Sequence, residues 1–384
     1  MRISAVICEF SPFHFGHEYL ISKIKENSDA VICIMSGAFT ERGEVAVLSK
    51  YARAECALGG GADLVLELPF PFCASGAEKF ALGGVDIARK LTCVDEIVCG
   101  SDTLDSADIT KIAARISSPE FKNALADKKR NNRTEAFGDM YFGTYAELFG
   151  DEIRAGSNDI LALAYARRLV ETGSDIKLKT VRRKGENYGG DGTGFASAST
   201  LRKMIFSGDD VSALVPEYSA RMIDAAKKSG ALYETSRLFL PLAAIYRTAW
   251  TPDFADRYEM NDELFNRVRR AFVQATTYDM AIELAKTKQY SPSKVRRAAL
   301  FGALGVSGWD VSDVSFTVLL GANETGRKIL YDIKNSAKID IVTKPADYSG
   351  HAFELLQKAE SLAALTKEFP APAGENMAKS PIMI

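Results

Sequence analysis

Short apolar runs alternating with amphipathic stretches are the feature that most constrains this chain. Ile3-Ser4-Ala5-Val6-Ile7-Cys8-Glu9-Phe10, Ala30-Val31-Ile32-Cys33-Ile34-Met35, Asp63-Leu64-Val65-Leu66-Glu67-Leu68 and Glu96-Ile97-Val98-Cys99 are too short for helices, and segments with helical apolar spacing separate them. Near-continuous apolar strands need cover on both faces, so the pattern predicts an α/β fold with a parallel sheet between helices. Such folds bind ligands beyond the carboxyl ends of their strands. At those ends stand His14-Phe15-Gly16-His17, Ser36-Gly37, Pro69-Phe70 and Gly100-Ser101-Asp102. A later strand over Ile176 to Val181 ends in Arg182-Arg183-Lys184-Gly185.

The character changes near residue 210. Tyr218 to Lys228, Leu238 to Tyr246 and Leu264 to Tyr278 have helical spacing, which divides the 384 residues into an α/β domain over 1–210 and a mainly helical domain over 211–384. All six cysteines (Cys8, Cys33, Cys56, Cys73, Cys93 and Cys99) precede that change, mostly inside apolar runs and without a C-x-x-C pair, as expected of small buried hydrophobes in a reducing cytoplasm. Met1-Arg2-Ile3 leads straight into a strand and does not read as a secretion signal. No stretch is apolar enough for a membrane span, so the chain is expected to be soluble and cytoplasmic. The net charge of −2 argues against overall attraction to nucleic acid but leaves room for a local basic surface.

Two of the three histidines, His14 and His17, share one four-residue window; the third, His351, is remote. Pro12 closes the first strand and Glu18 to Lys25 reads as a helix, so the window is a loop at a helix N-terminus. Unpaired backbone N–H groups and the positive end of the helix dipole gather there, which suits phosphate. Gly16 lets backbone approach a ligand, and two imidazoles can donate to phosphate oxygens. A zinc site is the weaker alternative: catalytic zinc needs a third protein ligand, and only a carboxylate such as Glu9 is near in sequence.

Other segments carry less specific signals. Ser197-Ala198-Ser199-Thr200-Leu201-Arg202 reads as a hydroxyl-rich helix start with an arginine one turn on, a combination that can hold polyphosphate or simply cap a helix. Ser157 or Asn158 is the expected cap of the helix that follows it. Lys128-Lys129-Arg130-Asn131-Asn132-Arg133 reads as a solvated charge run, and Gly189 to Gly194 as a flexible loop without dinucleotide-fingerprint spacing. Gly321 to Lys328 has P-loop glycine spacing, but Arg327 replaces the phosphate lysine and Lys328 the magnesium-binding hydroxyl, so it is rejected as an ATP site. The segment from Lys286 to Arg297 carries Lys286, Lys288, Lys294, Arg296 and Arg297 with no acid and with Tyr290 among them. It suits an RNA backbone, and equally a solvated helix face.

Taken together these segments resemble the HxGH nucleotidyltransferase superfamily and, more narrowly, the tRNA(Met) cytidine acetate ligase family. The resemblance rests on Glu9 to His17, Met35 to Glu44, Lys50 to Glu55, Asp63 to Pro69, the Asn158 segment, Arg183 with Gly185, Lys288 to Arg297 and the tail Ser380-Pro381-Ile382, nearly the whole chain. Relatives usually carry Asn and Gln where this chain has Ala38 and Glu41.

The resemblance implies a Rossmann-like nucleotidyltransferase domain with a mainly helical, tRNA-binding C-terminal domain. It implies that ATP and acetate give acetyl-adenylate and diphosphate, and that the wobble-cytidine N4 of elongator tRNA(Met) then takes the acetyl group. ATP contacts are expected at Ile7, Glu9, Phe10, Ser11, Pro12, Phe13, His14, Gly16, His17, Leu20, Gly100, Asn158, Arg182 and Arg183, with Ser199 and Arg202 added from the hydroxyl-rich helix start. His14 and His17 are the expected catalytic pair, stabilising charge on the α-phosphate. Arg183 and Arg202 would hold phosphates, with Lys50 as a further cation; Mg2+ on the phosphates follows from the same charge argument. Lys286, Lys288, Lys294, Arg296 and Arg297 are the expected tRNA contacts. The rival readings are an adenylyltransferase acting on a small phosphorylated metabolite and a non-catalytic RNA-binding protein on the same scaffold. Oligomeric state is left open by the sequence.

Overall fold

The computed structural model describes residues 1–131, 137–183, 195–248 and 257–384. Asn132 and Arg133 of the charge run, Lys184, Gly185 and the Gly189 to Gly194 loop lie outside them. The chain begins β1 (Ile3–Cys8), α1 (Phe15–Lys25), β2 (Ala30–Ser36), α2 (Lys50–Gly59), β3 (Leu64–Leu68), α3 (Ala77–Lys90) and β4 (Glu96–Ser101). It continues through α4 (Ser106–Ile116), α5 (Pro119–Asn131), α6 (Phe137–Phe149) and α7 (Ser157–Glu171) to β5 (Lys177–Arg182) and α8 (Ala198–Ser207). Helices α9 (Glu217–Lys228), α10 (Phe239–Thr248), α11 (Asp262–Gln274), α12 (Tyr278–Ala285) and α13 (Pro292–Leu304) follow. The chain ends with β6 (Phe316–Ala322), α14 (Glu324–Ile333), β7 (Asp340–Val342), α15 (His351–Ala364) and β8 (Ile382–Met383).

The sheet order is β5-β4-β1-β2-β3-β6-β7, with β8 on β6. The first five strands pair in parallel, and every residue of β1, β2 and β3 is buried, as continuous apolar runs require. The region beyond residue 210 is mainly helical, yet it also returns strands to this sheet. β6 lies antiparallel on β3 and is buried along its whole length, so the edge of the sheet and position 210 do not coincide. The segment with P-loop spacing sits here: Asn323 caps α14 by accepting from Gly326 N–H at 3.0 Å, and a Cβ at Gly326 would strike the Asp63 carbonyl, so no phosphate cradle exists. The single helical stretch expected over Leu264 to Tyr278 is broken, because Ala275 is extended and Thr277 starts α12 by accepting from Met280 N–H.

Buried polar groups tie the strand ends down. Arg53, fully buried, donates to the carbonyls of Leu48, Glu9, Ser36 and Gly37, gathering the carboxyl ends of β1 and β2 onto α2. Beside it Lys50 contacts Glu67 at 2.8 Å and Glu360 at 3.1 Å. Burial opposes its charge, but these two carboxylates outweigh burial and raise its pKa. Lys50 is thus an interior cation rather than the phosphate ligand expected from sequence, because both of its partners are equally enclosed.

On the other side of β1, Asp159 plays the equivalent part. It accepts from Ser101 Oγ at 2.8 Å, Asp102 N–H at 2.9 Å, Thr103 Oγ1 at 2.7 Å and Gly156 N–H at 2.9 Å. Burial alone would raise its pKa, but these donors hold the carboxyl below its ordinary value. The cap of α7 is consequently Gly156 and not Ser157 or Asn158: a Cβ at 156 would run into Asp102, whose carboxylate takes the Asn158 N–H at 3.0 Å. Replacing Asp159 with Ala leaves several enclosed donors unpartnered and should cost about 3 kcal/mol. Because the native pKa is depressed, wild-type stabilisation from this group is present above its unfolded pKa of about 3.9 and is lost as pH falls through the lower native value. Urea unfolding of wild type and D159A at neutral pH checks this; coincident midpoints would refute it.

Candidate active site

β1 and β4 pair only at Ser4 with Glu96 and Ala5 with Ile97, whereas β1 and β2 pair along six residues. The strand order reverses at this junction, and the two strands diverge toward their carboxyl ends. A cavity of about 970 Å³ opens there. Ile7, Glu9, Phe10, Ser11, His14, Gly16, His17, Leu20, Gly100, Asn158, Arg182, Arg183, Ser199 and Arg202 all line it. Pro12 and Phe13, expected among the ATP contacts, do not. Phe13 is fully buried and packs against His17 at 5.6 Å and Tyr218 at 5.8 Å, so it supports the loop from beneath. A second cavity of about 850 Å³ lies by Arg2, Glu96 and Lys177 at the opposite strand ends, where parallel sheets do not place ligands.

The loop leaves β1 through Phe10, which holds φ +50°, a left-handed conformation uncommon for a bulky residue. Strain of this kind persists only where packing enforces it, and Phe10 is buried against Phe13 and His17. His14 then caps α1: its Nδ1 accepts from Gly16 N–H at 3.0 Å, while His17 Nδ1 accepts from His14 N–H at 3.2 Å. The rings stack at 3.7 Å. With both Nδ1 atoms accepting, each neutral ring carries its proton on Nε2. Burial and then the Arg183 charge lower the His14 pKa to about 4; burial, His14 and Arg183 likewise hold His17 well below the usual imidazole value.

Asp102, marked by the sequence only as a strand-end residue, organises the opposite wall. It accepts from Asn158 Nδ2 at 2.9 Å and lies 3.5 Å from Arg183 Nη1, fixing two of the expected contacts relative to each other. Gly100 packs beneath the Arg183 stem. On α8, Ser197 caps the helix by accepting from Thr200 N–H at 3.2 Å, and Ser199 is exposed at the rim. Arg202 is committed within the protein: it donates to the Ser11 carbonyl at 2.8 Å and contacts Glu44 at 3.3 Å.

The basic segment divides. Lys286 and Lys288 are exposed, Lys286 within 2.5 Å of Glu283 on its own helix. The other three turn toward carboxylates within the protein. Arg296 meets Glu44 at 3.1 Å, Arg297 meets Glu259 at 3.0 Å and Glu41 at 3.6 Å, and Lys294 meets Glu259 at 3.2 Å. Arg297, with Ser291 and Ser293, therefore closes one side of the cavity. Glu41 and Glu44 were missed as site residues. Both stand in the Met35 to Glu44 segment that carries the resemblance, and a further signal is that their turn, Thr40-Glu41-Arg42-Gly43-Glu44, is acidic and complements a basic segment some 250 positions away; Gly43 at φ +70° lets that turn pass under the α13 backbone.

Among the described residues no group of three or more His, Cys, Asp or Glu could hold a metal ion, and no helix is long and apolar enough to cross a membrane. The cavity therefore joins neutral imidazole donors, a helix N-terminus and guanidinium groups, a set suited to a polyphosphate.

Comparison with known proteins agrees with that chemistry. The HIGH Nucleotidyl Transferase family is matched over residues 1–376. The chain is 32% identical to the tRNA(Met) cytidine acetate ligase of Clostridium perfringens (strain SM101 / Type A) over 367 residues, covering 90% of each protein. It is also 32% identical to that of Streptococcus mutans serotype c, covering 90% of this chain and 93% of the relative. The crystal structure of Thermotoga maritima TmcAL bound with alpha-thio ATP superposes with a TM-score of 0.89 at 26% identity, covering 100% of this chain and 99% of that one. The α/β fold with its nucleotide cavity and the full-length likeness to these proteins identify the chain as a ligase that belongs, within the HIGH nucleotidyl transferases, to the tRNA(Met) cytidine acetate ligase family.

Proposed function

We propose that this protein joins acetate to the α-phosphate of ATP, releasing diphosphate, and transfers the acetyl group to N4 of the wobble cytidine of elongator tRNA(Met), giving N4-acetylcytidine and AMP. The observation that carries the first step is the pair of neutral rings at the start of α1, both with Nδ1 occupied by backbone donors. As acetate attacks, negative charge grows on the phosphate oxygens, and the Nε2–H groups with the amides of α1 are preorganised to receive it. Arg182 and Arg183 face the same cavity and suit the leaving diphosphate. Ser199 at the rim is a further phosphate contact, whereas Arg202 acts by holding the Ser11 backbone in place. Mg2+ would enter on the nucleotide, with few protein ligands, and neutralise phosphate charge.

For the acceptor, we assign Lys286 and Lys288, exposed beside the cavity-lining start of α13, to the tRNA backbone. Lys294, Arg296 and Arg297 act on the acceptor indirectly, by fixing α13 against the acidic turn. A tRNA substrate places the protein in the cytoplasm.

His17→Ala should lower acetate-dependent ATP–diphosphate exchange by about 100-fold or more without unfolding the protein; exchange near the wild-type rate would refute the assignment. His14, lowered to about 4, should stay neutral from pH 8 to 5. Protonation favours the unfolded chain, so this group lowers stability as pH falls below the unfolded pKa of about 6.5. Imidazole NMR shifts of the free protein measure this directly, and a His14 titration near pH 6.5 would contradict it. Charge reversal at Lys286 and Lys288 together should weaken tRNA acetylation on the order of tenfold and flatten its salt dependence while acetate-dependent exchange persists. Mapping labelled acetate in bulk tRNA tests the whole reading: label on a nucleoside other than cytidine, or none with continued diphosphate release, would assign another acceptor.

A further inference from the structure

The transfer step needs a group that the adenylation chemistry does not supply. The exocyclic amine of cytosine is a weak nucleophile, and its proton must leave as the acyl bond forms. The imidazoles are poorly placed for that: both Nδ1 atoms hold backbone N–H groups of the α1 cap, and the Nε2 positions carry the donors. Four carboxylates line the cavity, namely Glu9, Glu41, Glu44 and Asp102. Glu44 is shared by Arg202 and Arg296, Glu41 faces Arg297, and Asp102 is held by Asn158 and Arg183. Among the described residues, Glu9 alone of the four has no cation within ion-pair distance.

Its placement is specific. Glu9 follows β1 directly, and the left-handed turn at Phe10 carries the chain on into the His loop, so carboxylate and imidazoles line one cavity. Glu9 Oε1 accepts from Glu41 N–H at 2.6 Å, which fixes the carboxylate, and Oε2 takes no partner among the described residues. The nearby Arg53 is spent on carbonyls, including that of Glu9 itself.

Resting on the reading of this site as an acetyl-adenylate enzyme, we infer that Glu9 is the catalytic base of acetyl transfer and that Glu41 is its positioning residue. The N4 lone pair attacks the acetyl carbonyl carbon, and the bond from that carbon to the phosphate oxygen breaks with its electrons leaving on AMP. The N4 proton passes to Glu9 Oε2 and returns to solvent after release.

The surroundings suit a base working near neutrality. Burial raises the Glu9 pKa to about 7; the Glu41 amide lowers it, the Glu41 carboxylate raises it, and Arg202 and Arg42 lower it. Cys8 beside it and Tyr165 from α7 are themselves kept neutral by burial. The residue at 41 matters here because its own carboxylate acts on Glu9. In this chain the extra carboxylate favours the protonated form of Glu9, so the base gains proton affinity at the cost of needing a higher pH to be free.

The experiment separates the two half-reactions in the full-length protein. Acetate-dependent ATP–diphosphate exchange reports adenylation, and single-turnover acetylation of a tRNA(Met) transcript from preformed adenylate reports transfer. Glu9→Gln should raise the ratio of exchange to transfer by about 100-fold or more. Wild-type transfer should rise with pH through about 7, because only the ionised carboxylate accepts the proton, and Glu41→Gln should move that limb to lower pH. Transfer by Glu9→Gln at the wild-type rate would overturn the proposal. So would parallel loss of exchange and transfer, which would assign the carboxylate to adenylation, or an acidic limb unmoved by Glu41→Gln. A wild-type protein without acetate-dependent exchange fails differently, since that removes the acetyl-adenylate reading beneath the proposal.

Discussion

The parting of β1 from β4 beyond Ala5 and Ile97 is the constraint on which the rest of the site depends. A sheet that stayed hydrogen-bonded along both strands would leave no room above its centre. Divergence frees backbone groups that must find other partners, and the structure supplies them from side chains. Arg53 collects the carbonyls of Glu9, Ser36 and Gly37 on one side, and Asp159 collects the amides of Asp102, Thr103 and Gly156 on the other. Each is a buried charge balanced by several hydrogen bonds, which is the condition under which such burial is tolerated. The crevice is therefore held open by groups that never face it.

Within the crevice the same economy of charge recurs. A protonated imidazole pair beside Arg183 would repel itself, and burial disfavours the cation further, so the rings are neutral donors. Neutral donors preserve the fixed Nδ1 contacts of the cap and keep both Nε2–H groups directed by the backbone. Positive charge in the cavity comes instead from Arg182 and Arg183, which are reached from β5 across the gap and which the proposed function assigns to phosphate. Keeping the imidazole donors neutral and the guanidinium charge on a separate strand, with Arg183 balanced by Asp102, avoids a cluster of like charge in the cavity.

Much of this was legible in the sequence. The runs at Ile3, Ala30, Asp63, Glu96 and Ile176 are strands because β-branched residues in short apolar runs have few other uses; residues beyond the carboxyl ends of the first, fourth and fifth meet in one cavity, whereas Ser36-Gly37 and Pro69-Phe70 do not line it. The His loop was legible because two histidines flanking a glycine at a helix start form a local pattern. What escaped is non-local. Nothing near Asp102 or Asp159 marks them as the knot between β4 and α7, since their partners lie some 55 residues away. Lys50 reads from sequence as a further cation for the phosphates, but its environment is made by Glu67 and by Glu360 from the far end of the chain. Pro12 and Phe13 sit inside the motif yet beneath its surface, and only packing could show that motif membership and ligand contact differ.

The basic segment shows how a charge run acquires two roles at once. Surface ion pairs contribute little, but Arg297 and Glu259 are largely enclosed, at 11% and 9% side-chain exposure, and Arg297 also donates to the Glu41 carbonyl. Glu44 is shared by Arg202 of α8 and Arg296 of α13, so one acidic turn is clasped from both parts of the chain. Removing one partner of such a set leaves an enclosed charge unpaired, which ties the seating of α13 to the integrity of the turn. The turn also supplies the amide that fixes Glu9. A shift of α13 would thus reach the carboxylate of Glu9 through Arg297 and Glu41, and the backbone of the His loop through Arg296, Glu44 and Arg202, which donates to the Ser11 carbonyl. These two routes reach the chain on either side of Phe10, at Glu9 and at Ser11, so the seating of α13 bears both on the carboxylate and on the loop that carries the imidazoles.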